Sequence, residues 1–271
     1  MVASMSESNV WQLHDAACAA GQDGYVDPAT GYLTFTRDYL QRRGRCCAAG
    51  CRHCPFAHSN IPVEARPAKI KQAAWLTYAY VDPEPASLLF WSGGKDSYLA
   101  YLDLQRRQRH TVLLTTFDAQ SGVIAHQGLH IDDVIQQALA LSLPLIGVPL
   151  HSDKDYVDHI LPALTLSPQV NELVFGDLHL VHIRNWREQT FGAHPDIQGF
   201  SLAFPLWQVD YEALFKQLAL SPISITISAT VPDLAWAQGL SYDADFIARL
   251  PEGVDPFGEN GEFHTHVKVD G

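Results

Sequence analysis

The hexapeptide Ser-Gly-Gly-Lys-Asp-Ser at residues 92–97 has the clearest chemical potential in the chain. Its two glycines let the backbone turn sharply and bring N–H groups close to an anion. Two serines add hydroxyl donors and a lysine adds charge, whereas the aspartate would repel phosphate unless Mg²⁺ lay between them. The alternative is a tight strand–helix turn capped by Ser and Asp. We predict a polyphosphate site formed by Ser92, Gly93, Gly94, Lys95, Asp96 and Ser97.

The second chemical cluster is the segment 255–265, which holds carboxylates, an amide, an imidazole, a hydroxyl and glycines within eleven positions. Glycines beside acidic residues suit a backbone that bends tightly around a small ligand. Glu259 and Glu262 could hold a cation or orient an amine, and His264 could accept a proton near neutral pH. The alternative is a surface turn whose charges are solvated.

Both clusters need a scaffold, and from Ser87 onward short apolar runs alternate with amphipathic stretches. This alternation predicts an α/β fold with a doubly wound parallel sheet. The predicted strands are 88–91, 111–117, 145–150, 172–175, 200–204 and 223–228. The predicted helices are 96–107, 131–141, 155–164, 179–191 and 211–218. The hexapeptide then lies between the first strand and the first long helix, where such sheets place ligands and where a helix N-terminus favours anions.

The composition divides the chain into three predicted regions. They are a Cys-rich unit at 1–58 that is expected to bind a metal, a linker and helix at 59–86, and a phosphate-binding domain at 87–271. Smaller features are expected before the domain begins. They are a polar or weakly helical, loosely held lead-in at 1–20, a hairpin or turn at 27–31, a short helix near 37–43, a linker at 59–67 and a helix at 68–80.

Four of the five cysteines fall within nine residues, at Cys46, Cys47, Cys51 and Cys54. In a cytoplasmic protein such a cluster indicates metal binding or redox chemistry rather than disulfides. Two residues between the last pair let both sulfurs reach one ion across a tight turn. We therefore predict Zn²⁺ in a closed structural site or an iron–sulfur cluster, with His53 as an alternative ligand. The other possibility is that all four thiols are free.

Length and composition narrow the class of protein. The 271 residues are 47% hydrophobic and 18% charged, as in globular proteins. No apolar run approaches the roughly 18 residues of a membrane span, and the start lacks the order of a signal peptide, so we expect a cytoplasmic protein. The net charge of −12 falls on residues 67–271, because six arginines balance six acidic residues before them. This acidic body disfavours nucleic acid as a partner. For residues 1–66, nucleic acid is not excluded as a partner, because this part holds Arg37, Arg42, Arg43, Arg45 and Arg52.

Residues 92–97 resemble the PP-loop of the ATP pyrophosphatases. They do not match a Walker A motif, because the four-residue spacer between the glycines is missing. The resemblance implies a fold like that of the adenine nucleotide alpha hydrolases, with ATP and Mg²⁺ as ligands. It also implies that ATP is cleaved between its α and β phosphates. AMP is left on a carbonyl or carboxyl oxygen, and a nitrogen or sulfur nucleophile then displaces it.

The segment 255–265 resembles the Gly-Glu-Asn-Gly-Glu-(Phe/Tyr)-His-Thr hallmark of the diphthine–ammonia ligase family. The similarity extends over about 87–270. It includes Phe175-Gly176-Asp177, the helix with Arg184, Trp186, Arg187 and Glu188, Leu206-Trp207, Gln137-Ala138 and Leu143-Pro144-Leu145. The resemblance implies an ATP-dependent ligase that adenylates a carboxylate, releases pyrophosphate and transfers ammonia. The acceptor would be diphthine or another carboxylate, on a small molecule or a modified protein side chain.

The same resemblance implies roles for individual residues. Those implied in catalysis are Lys95, Asp177, Glu188, Glu259, Glu262 and His264. Those implied in holding the nucleotide and Mg²⁺ are Ser92, Gly93, Gly94, Lys95, Asp96, Ser97, Asp118 and Gly176. Those implied in holding the acceptor are Asn260, Gly261 and Thr265. Two have plain alternatives, since Asp118 could cap a turn and Glu188 could be a solvated helix charge.

Two other functions remain open from the sequence. Some PP-loop enzymes combine the same hexapeptide with cysteines and an iron–sulfur centre and transfer sulfur to tRNA or a small molecule. A non-catalytic scaffold that binds ATP and presents the Cys-rich unit is the second alternative. Residues 44–56 resemble a small uncharacterised bacterial domain with the same Cys-Cys…Cys…Cys-Pro pattern.

Overall fold

The computed structural model describes residues 7–28, 30–56, 58–62, 65, 70–77, 80, 83–152 and 155–269. In this part of the chain the main sheet has six strands. They are β3 (Ala74–Trp75), β4 (Ala86–Phe90), β5 (His110–Asp118), β6 (Leu145–Leu150), β7 (Val170–Val174) and β8 (Ser201–Ala203). The spatial order is β3-β6-β5-β4-β7-β8. All neighbouring strands are parallel except β3, which pairs antiparallel with β6.

Helices cover both faces of this sheet. They are α3 (Lys95–Arg106), α4 (Ile131–Ala140), α5 (Tyr156–Leu166), α6 (Val181–Gly192) and α7 (Tyr211–Ala219). Side chains of consecutive strand residues point to opposite faces, and in β4 Leu89 joins the apolar cluster of α3, α4 and α7 while Leu88 joins that of α5 and α6. Burial on both faces explains why the strands are continuous apolar runs. The predicted doubly wound α/β fold is confirmed.

The strand order creates a crevice at one place. From β4 the chain runs outward through β5 and β6, and it then crosses back to place β7 on the other side of β4. Loops that leave the carboxyl ends of β4 and β7 therefore diverge around an opening. Open α/β sheets bind ligands at such a switch point.

Residues 223–228 form a strand as predicted, but the prediction that this strand belongs to the parallel sheet was wrong. This run lies in β9 (Ile223–Thr230), which pairs antiparallel with β10 (Phe263–Val269) in a separate two-stranded sheet. Three isoleucines alternate with Ser224, Thr226 and Ser228, a period of two that is typical of a sheet with one packed face. Between the two strands lie a 3₁₀ segment (Pro232–Ala237) and α8 (Ala244–Ala248).

The start of the chain is more ordered than its polar composition predicted. Helix α1 (Glu7–Ala19) precedes a hairpin of β1 (Gly24–Val26) and β2 (Leu33–Phe35) and then α2 (Arg37–Arg42). The hairpin and the short helix are confirmed. For residues 7–20 the expected helicity is present but the loose attachment was wrong, and residues 1–6 lie outside the described residues. Trp11 is only 4% exposed and belongs to the main apolar cluster. Its buried neighbours Val10, His14 and Ala17 follow helical spacing.

The predicted helix at 68–80 was also wrong over its described residues. Ala74 and Trp75 form β3, which pairs with Gly147 and Ile146 of β6. The N–H of Leu76 extends this pairing by donating to the carbonyl of Leu145 at 2.8 Å. The unpaired edge of β6 offers backbone groups that outweigh helix propensity here. Residues 68, 69, 78 and 79 lie outside the described residues.

None of the described helices is long and apolar enough to cross a membrane.

Substitution Trp11→Ala tests whether α1 belongs to the core. Removing a buried indole should lower the free energy of unfolding by about 3–5 kcal/mol, measured by urea denaturation. The matched control is Gln12→Ala on the exposed side of the same helix, which should change the value by no more than about 0.5 kcal/mol. Coincident unfolding curves for the two variants would show that α1 is not packed on the core.

Candidate active site

A cavity of about 310 Å³ opens at the crevice between the ends of β4 and β7. It lies at the lower end of the size range of small-molecule sites. The structure brings both predicted clusters to its walls. The residues from the predicted set that line it are Ser92, Lys95, Asp96, Ser97, Gly176, Asp177, Glu259, Gly261, His264 and Thr265.

The hexapeptide forms a tight loop that ends as the N-terminus of α3. Gly93 has a φ of +83°, which L-residues with a side chain rarely adopt, and Gly94 caps the helix. The hydroxyl of Ser97 donates to the carbonyl of Gly94 at 2.8 Å, and the N–H of Gly94 donates to the hydroxyl of Ser92 at 3.3 Å. Unlike Ser92, neither glycine lines the cavity, so their contribution is the shape of the loop.

The end of β7 approaches this loop at Gly176. A Cβ atom on Gly176 would lie 2.9 Å from the carbonyl oxygen of Asp96 and 3.2 Å from the backbone nitrogen of Ser97. Only a residue without a side chain allows the two backbones to come so close. Gly176 thereby places Asp177 beside the loop.

The C-terminal strand β10 is hydrogen-bonded to the hexapeptide. The N–H of Val267 donates to the carbonyl of Gly93 at 3.0 Å, and the N–H of Lys95 donates to the hydroxyl of Thr265 at 3.0 Å. Buried Gln137 joins the same elements, because its amide nitrogen donates to the carbonyls of both Gly93 and Val267. Its amide oxygen accepts from the indole of Trp91 at 2.8 Å. Gln137 belongs to the family resemblance of the sequence but had no predicted role.

The side chain of Lys95 is 2% exposed and turns toward the C-terminal cluster. Its ammonium donates to the carbonyl of Phe257 at 2.6 Å and to the carboxylate of Asp96 at 3.0 Å. It also lies between 5.2 and 5.7 Å from the ring centroids of Phe257, Tyr242 and Phe263. Cation–π attraction extends to about 6 Å, so all three rings contribute to the binding of this charge.

The segment 255–262 folds into a compact loop through its own side chains. The carboxylate of Glu262 accepts from the backbone N–H groups of Asp255 and Asn260 and from the Asn260 amide. Desolvation raises the pKa of Glu262, but these hydrogen bonds outweigh it and lower the pKa below the usual range. Gly258 has a φ of +67°, and a Cβ there would lie 2.6 Å from the carbonyl of Phe263. Glu262 and Asn260 therefore build the loop and do not line the cavity.

Glu259 and His264 carry the strongest electrostatic perturbations in the cavity wall. Burial, the negative charge of Asp96 and that of Asp255 raise the pKa of Glu259 to about 7, against the opposing effect of Lys95. Burial, Lys95 and His126 lower the pKa of His264 to about 4, so this imidazole is neutral and weakly basic at neutral pH. Of the two, Glu259 has the pKa that suits proton transfer near neutral pH.

Two residues of the predicted set lie elsewhere. The carboxylate of Asp118 accepts from the backbone N–H groups of Gln120 and Ser121 and caps a turn. Glu188 accepts from the guanidinium of Arg184, four residues earlier on the exposed side of α6, at 2.8 Å. Neither residue lines the cavity.

Arg187, the residue before Glu188 on α6, reaches the cavity instead. Its guanidinium donates to Asp177 at 3.1 Å and lies 4.6 Å from the ring centroid of Phe175. Tyr156, at the start of α5, lines the same wall, and burial raises the pKa of its hydroxyl. Neither residue had a predicted role. The only signal for Arg187 was its helix, which follows β7, a strand that ends at the crevice, whereas α5 follows β6, two strands away from β4.

Three buried polar atoms of the cavity wall have no hydrogen-bond partner among the described residues. They are the Oδ1 atom of Asp96, the Oγ1 atom of Thr115 and the Oε1 atom of Gln127. Buried polar atoms are normally hydrogen-bonded, and leaving one unsatisfied costs about 1–3 kcal/mol. All three accept hydrogen bonds, so the cavity suits a ligand that supplies donors or a cation.

The cysteines do not form the predicted four-thiolate site. The sulfurs of Cys47 and Cys51 are 3.5 Å apart, and those of Cys46 and Cys54 are 4.0 Å apart. Across the described residues no three His, Cys, Asp or Glu side chains are arranged to hold a metal ion. Cys46 is buried while its neighbour Cys47 is exposed, so the thiols divide into two pairs. This geometry does not support Zn²⁺ or an iron–sulfur cluster, and His53 instead contacts the hydroxyl of Tyr25 at 2.7 Å.

A sequence-family profile described as a family of unknown function (DUF5522) matches residues 13–60. This match includes all four clustered cysteines and ends before the hexapeptide.

Solved structures show only weak similarity. The predicted subunit of a tRNA methyltransferase from Methanocaldococcus jannaschii is 18% identical, with 69% of this chain and 97% of that chain covered and a TM-score of 0.36. FMN adenylyltransferase from Candida glabrata in complex with ATP is 17% identical, with 52% and 48% covered and a TM-score of 0.34. Thus this chain spans about half of that enzyme. Such scores carry no argument about function.

Substitution Gly176→Ala tests the close approach of β7 to the loop. The added methyl group would meet backbone atoms of Asp96, which cannot move aside cheaply, so the free energy of unfolding should fall by about 1–3 kcal/mol. Gly199→Ala is the matched control, because nothing lies within 4 Å of its added Cβ. Equal stability of the two variants in chemical denaturation would contradict the packing described here.

Proposed function

We propose that this protein is an ATP-dependent ligase that adenylates a carboxylate and transfers ammonia to it. The observation that carries the proposal is that the loop 92–97 and the segment 255–265 form two walls of one cavity. Each resembles a motif of the same ligase family, and the resemblance requires them to act on one substrate complex. The acceptor is diphthine or another carboxylate.

The loop supports the ATP part of the proposal. The first N–H groups of α3 have no partners within the helix, and they give its N-terminus a partial positive charge. Among these groups, the N–H of Lys95 already donates to the hydroxyl of Thr265. The following N–H groups and the hydroxyls of Ser92 and Ser97 would bind the phosphates.

Asp96 supports a role for Mg²⁺. Its Oδ1 atom is buried without a partner among the described residues, and burial raises its pKa, which the neighbouring Lys95 opposes. A divalent cation would satisfy this oxygen. Mg²⁺ commonly binds through one or two protein carboxylates and the phosphates of a substrate, so Asp96 alone suffices on the protein side. When bound, it would neutralise the charge of the phosphates.

The opposite wall supports acceptor binding and proton transfer. Arg187, held by Asp177 and the ring of Phe175, is the cation that would bind the acceptor carboxylate. The carboxylate oxygen attacks the α-phosphorus, and pyrophosphate leaves. Ammonia then attacks the acyl carbon, AMP leaves, and the nitrogen loses a proton, which Glu259 would accept. The products are an amide, AMP and pyrophosphate.

Exchange of labelled pyrophosphate into ATP tests the adenylation step. With Mg²⁺ and a panel of carboxylates but no ammonia, the protein should catalyse exchange with at least one acceptor. Substitution Asp96→Asn should slow this exchange by about 100-fold or more, because the charge at the phosphates is lost. Asp103→Asn is the matched control on the same helix, where the carboxylate pairs with Arg106 and Arg107 outside the cavity.

The outcomes separate the competing functions. If calorimetry detects no binding of α,β-methylene-ATP to the protein in the presence of Mg²⁺, the nucleotide site itself is refuted. Exchange followed by sulfide incorporation rather than ¹⁵N-ammonia incorporation would replace the ligase with a sulfur transferase. If the protein binds the nucleotide but catalyses no exchange with any carboxylate, the remaining function is that of a non-catalytic ATP-binding scaffold.

The rate of amide formation should depend on pH through Glu259. With a pKa of about 7, its basic carboxylate form increases about tenfold between pH 6 and pH 8, and the rate should rise by the same factor. The concentration of uncharged ammonia is held constant by adjusting total ammonium. In Glu259→Gln this rise should disappear, while Glu252→Gln, at an exposed position, should keep it. An unchanged profile in Glu259→Gln would exclude Glu259 as the base.

A further inference from the structure

We propose that Lys95 is a positioning residue, which in the nucleotide-free protein fastens the segment 255–265 to the phosphate loop through its ammonium. The sequence predicts a different role, because a lysine in a phosphate loop suggests a charge for the anion. The proposal concerns the protein before any nucleotide binds. It therefore deepens the proposed function without depending on the reaction.

The hydrogen bonds of Lys95 connect both ends of the segment. The ammonium donates to the carbonyl of Phe257 at 2.6 Å, and the backbone N–H donates to the hydroxyl of Thr265 at 3.0 Å. One residue of the loop thus contacts the segment near its start and at its end. Glu259 and His264, which carry the perturbed pKa values, lie between these two contacts.

The aromatic surroundings make the position of the ammonium specific. An ammonium group has three N–H donors, and Phe257 and Asp96 accept from it. The rings of Tyr242, Phe257 and Phe263 lie within 5.7 Å of the nitrogen. Tyr242 also reinforces the segment, because its hydroxyl donates to the carbonyl of Pro256 at 2.9 Å. We call these three rings and the Phe257 carbonyl the ammonium cage.

The cage leaves little reason for the ammonium to turn toward the phosphates. Leaving it would expose a buried carbonyl and forfeit three cation–π contacts, which are strongest where water is excluded. The loop keeps other groups for the anion, namely the N–H groups that follow Lys95 and the hydroxyls of Ser92 and Ser97. Charge at the phosphates then comes from the helix terminus and the cation.

Hydrogen exchange without nucleotide tests the proposal. In Lys95→Met, which keeps the length of the side chain and removes its charge, backbone amides within 257–264 should exchange about tenfold faster or more. Amides of β4 and β5 should stay protected, which separates local opening from global unfolding. The matched control is Lys268→Met, an exposed lysine on β10, which should exchange like the unmodified protein. Unchanged exchange within 257–264 in Lys95→Met overturns the proposal.

If Lys95→Met does not fold, the unmodified protein still gives an answer. The chain has six lysines, so ¹³C-lysine labelling yields few signals. One ε-methylene signal should be shifted upfield by the ring currents of the cage, and it should move in Phe257→Leu, which removes one ring and keeps the carbonyl. A spectrum with no shifted lysine signal shows that the cage is not occupied. Because none of these measurements includes ATP, their failure is separate from failure of the ligase assay.

Discussion

The candidate site depends on the attachment of β10 to the loop that follows β4. The first half of the site belongs to the parallel sheet, and the second half belongs to a separate antiparallel pair near the C-terminus. Nothing in the topology of the parallel sheet requires these to meet. They are joined by hydrogen bonds that Val267 and Gln137 donate to the loop, by the one that Thr265 accepts from it, and by the buried side chain of Lys95. Each bond is made in a buried place, where leaving it unmade is costly.

This attachment also sets the electrostatics of the cavity. The loop brings Asp96 and Lys95, and the segment 255–265 brings Asp255 and Glu259, into a small, partly desolvated volume. Carboxylates crowded together resist ionisation, so the pKa of Glu259 rises to about 7. The charge of Lys95 limits this rise. A base suited to neutral pH is therefore a product of two distant segments, and neither segment alone would create it.

The sequence predicted the framework of the fold well and its additions poorly. Buried parallel strands leave a strong apolar signature, so β4 to β7 and their helices were found close to their positions. The edge strand β3 is two residues long, and its pairing depends on β6, so local propensity pointed to a helix. Helix α1 was underestimated because only a few apolar side chains, Trp11 above all, are buried among polar ones. Tertiary contacts decide such segments, and a local pattern does not contain them.

For the site, the residue types indicated which segments form the cavity, but they did not indicate in which direction each side chain points. Asp118 and Glu188 have suitable chemistry, yet one caps a turn and the other faces outward along α6. Arg187 was one position away from Glu188, and on a helix one position rotates a side chain by about 100°. The direction of the Lys95 ammonium could not be predicted either, because it depends on three rings that lie about 150 or more residues later in the chain. Spacing gives such details only where both partners lie in the same element.

The position of the cysteines bears on the choice between nitrogen and sulfur transfer. Helix α1 contacts β3, and β6 and β5 lie between β3 and β4. With neighbouring strands about 4.8 Å apart, β3 is roughly 14 Å from the strand that carries the phosphate loop. None of the four clustered cysteines lines the cavity. Sulfur transfer from these thiols would require them to reach a cavity that they do not line in the described arrangement, whereas the proposed transfer of ammonia requires only that ammonia enters the cavity.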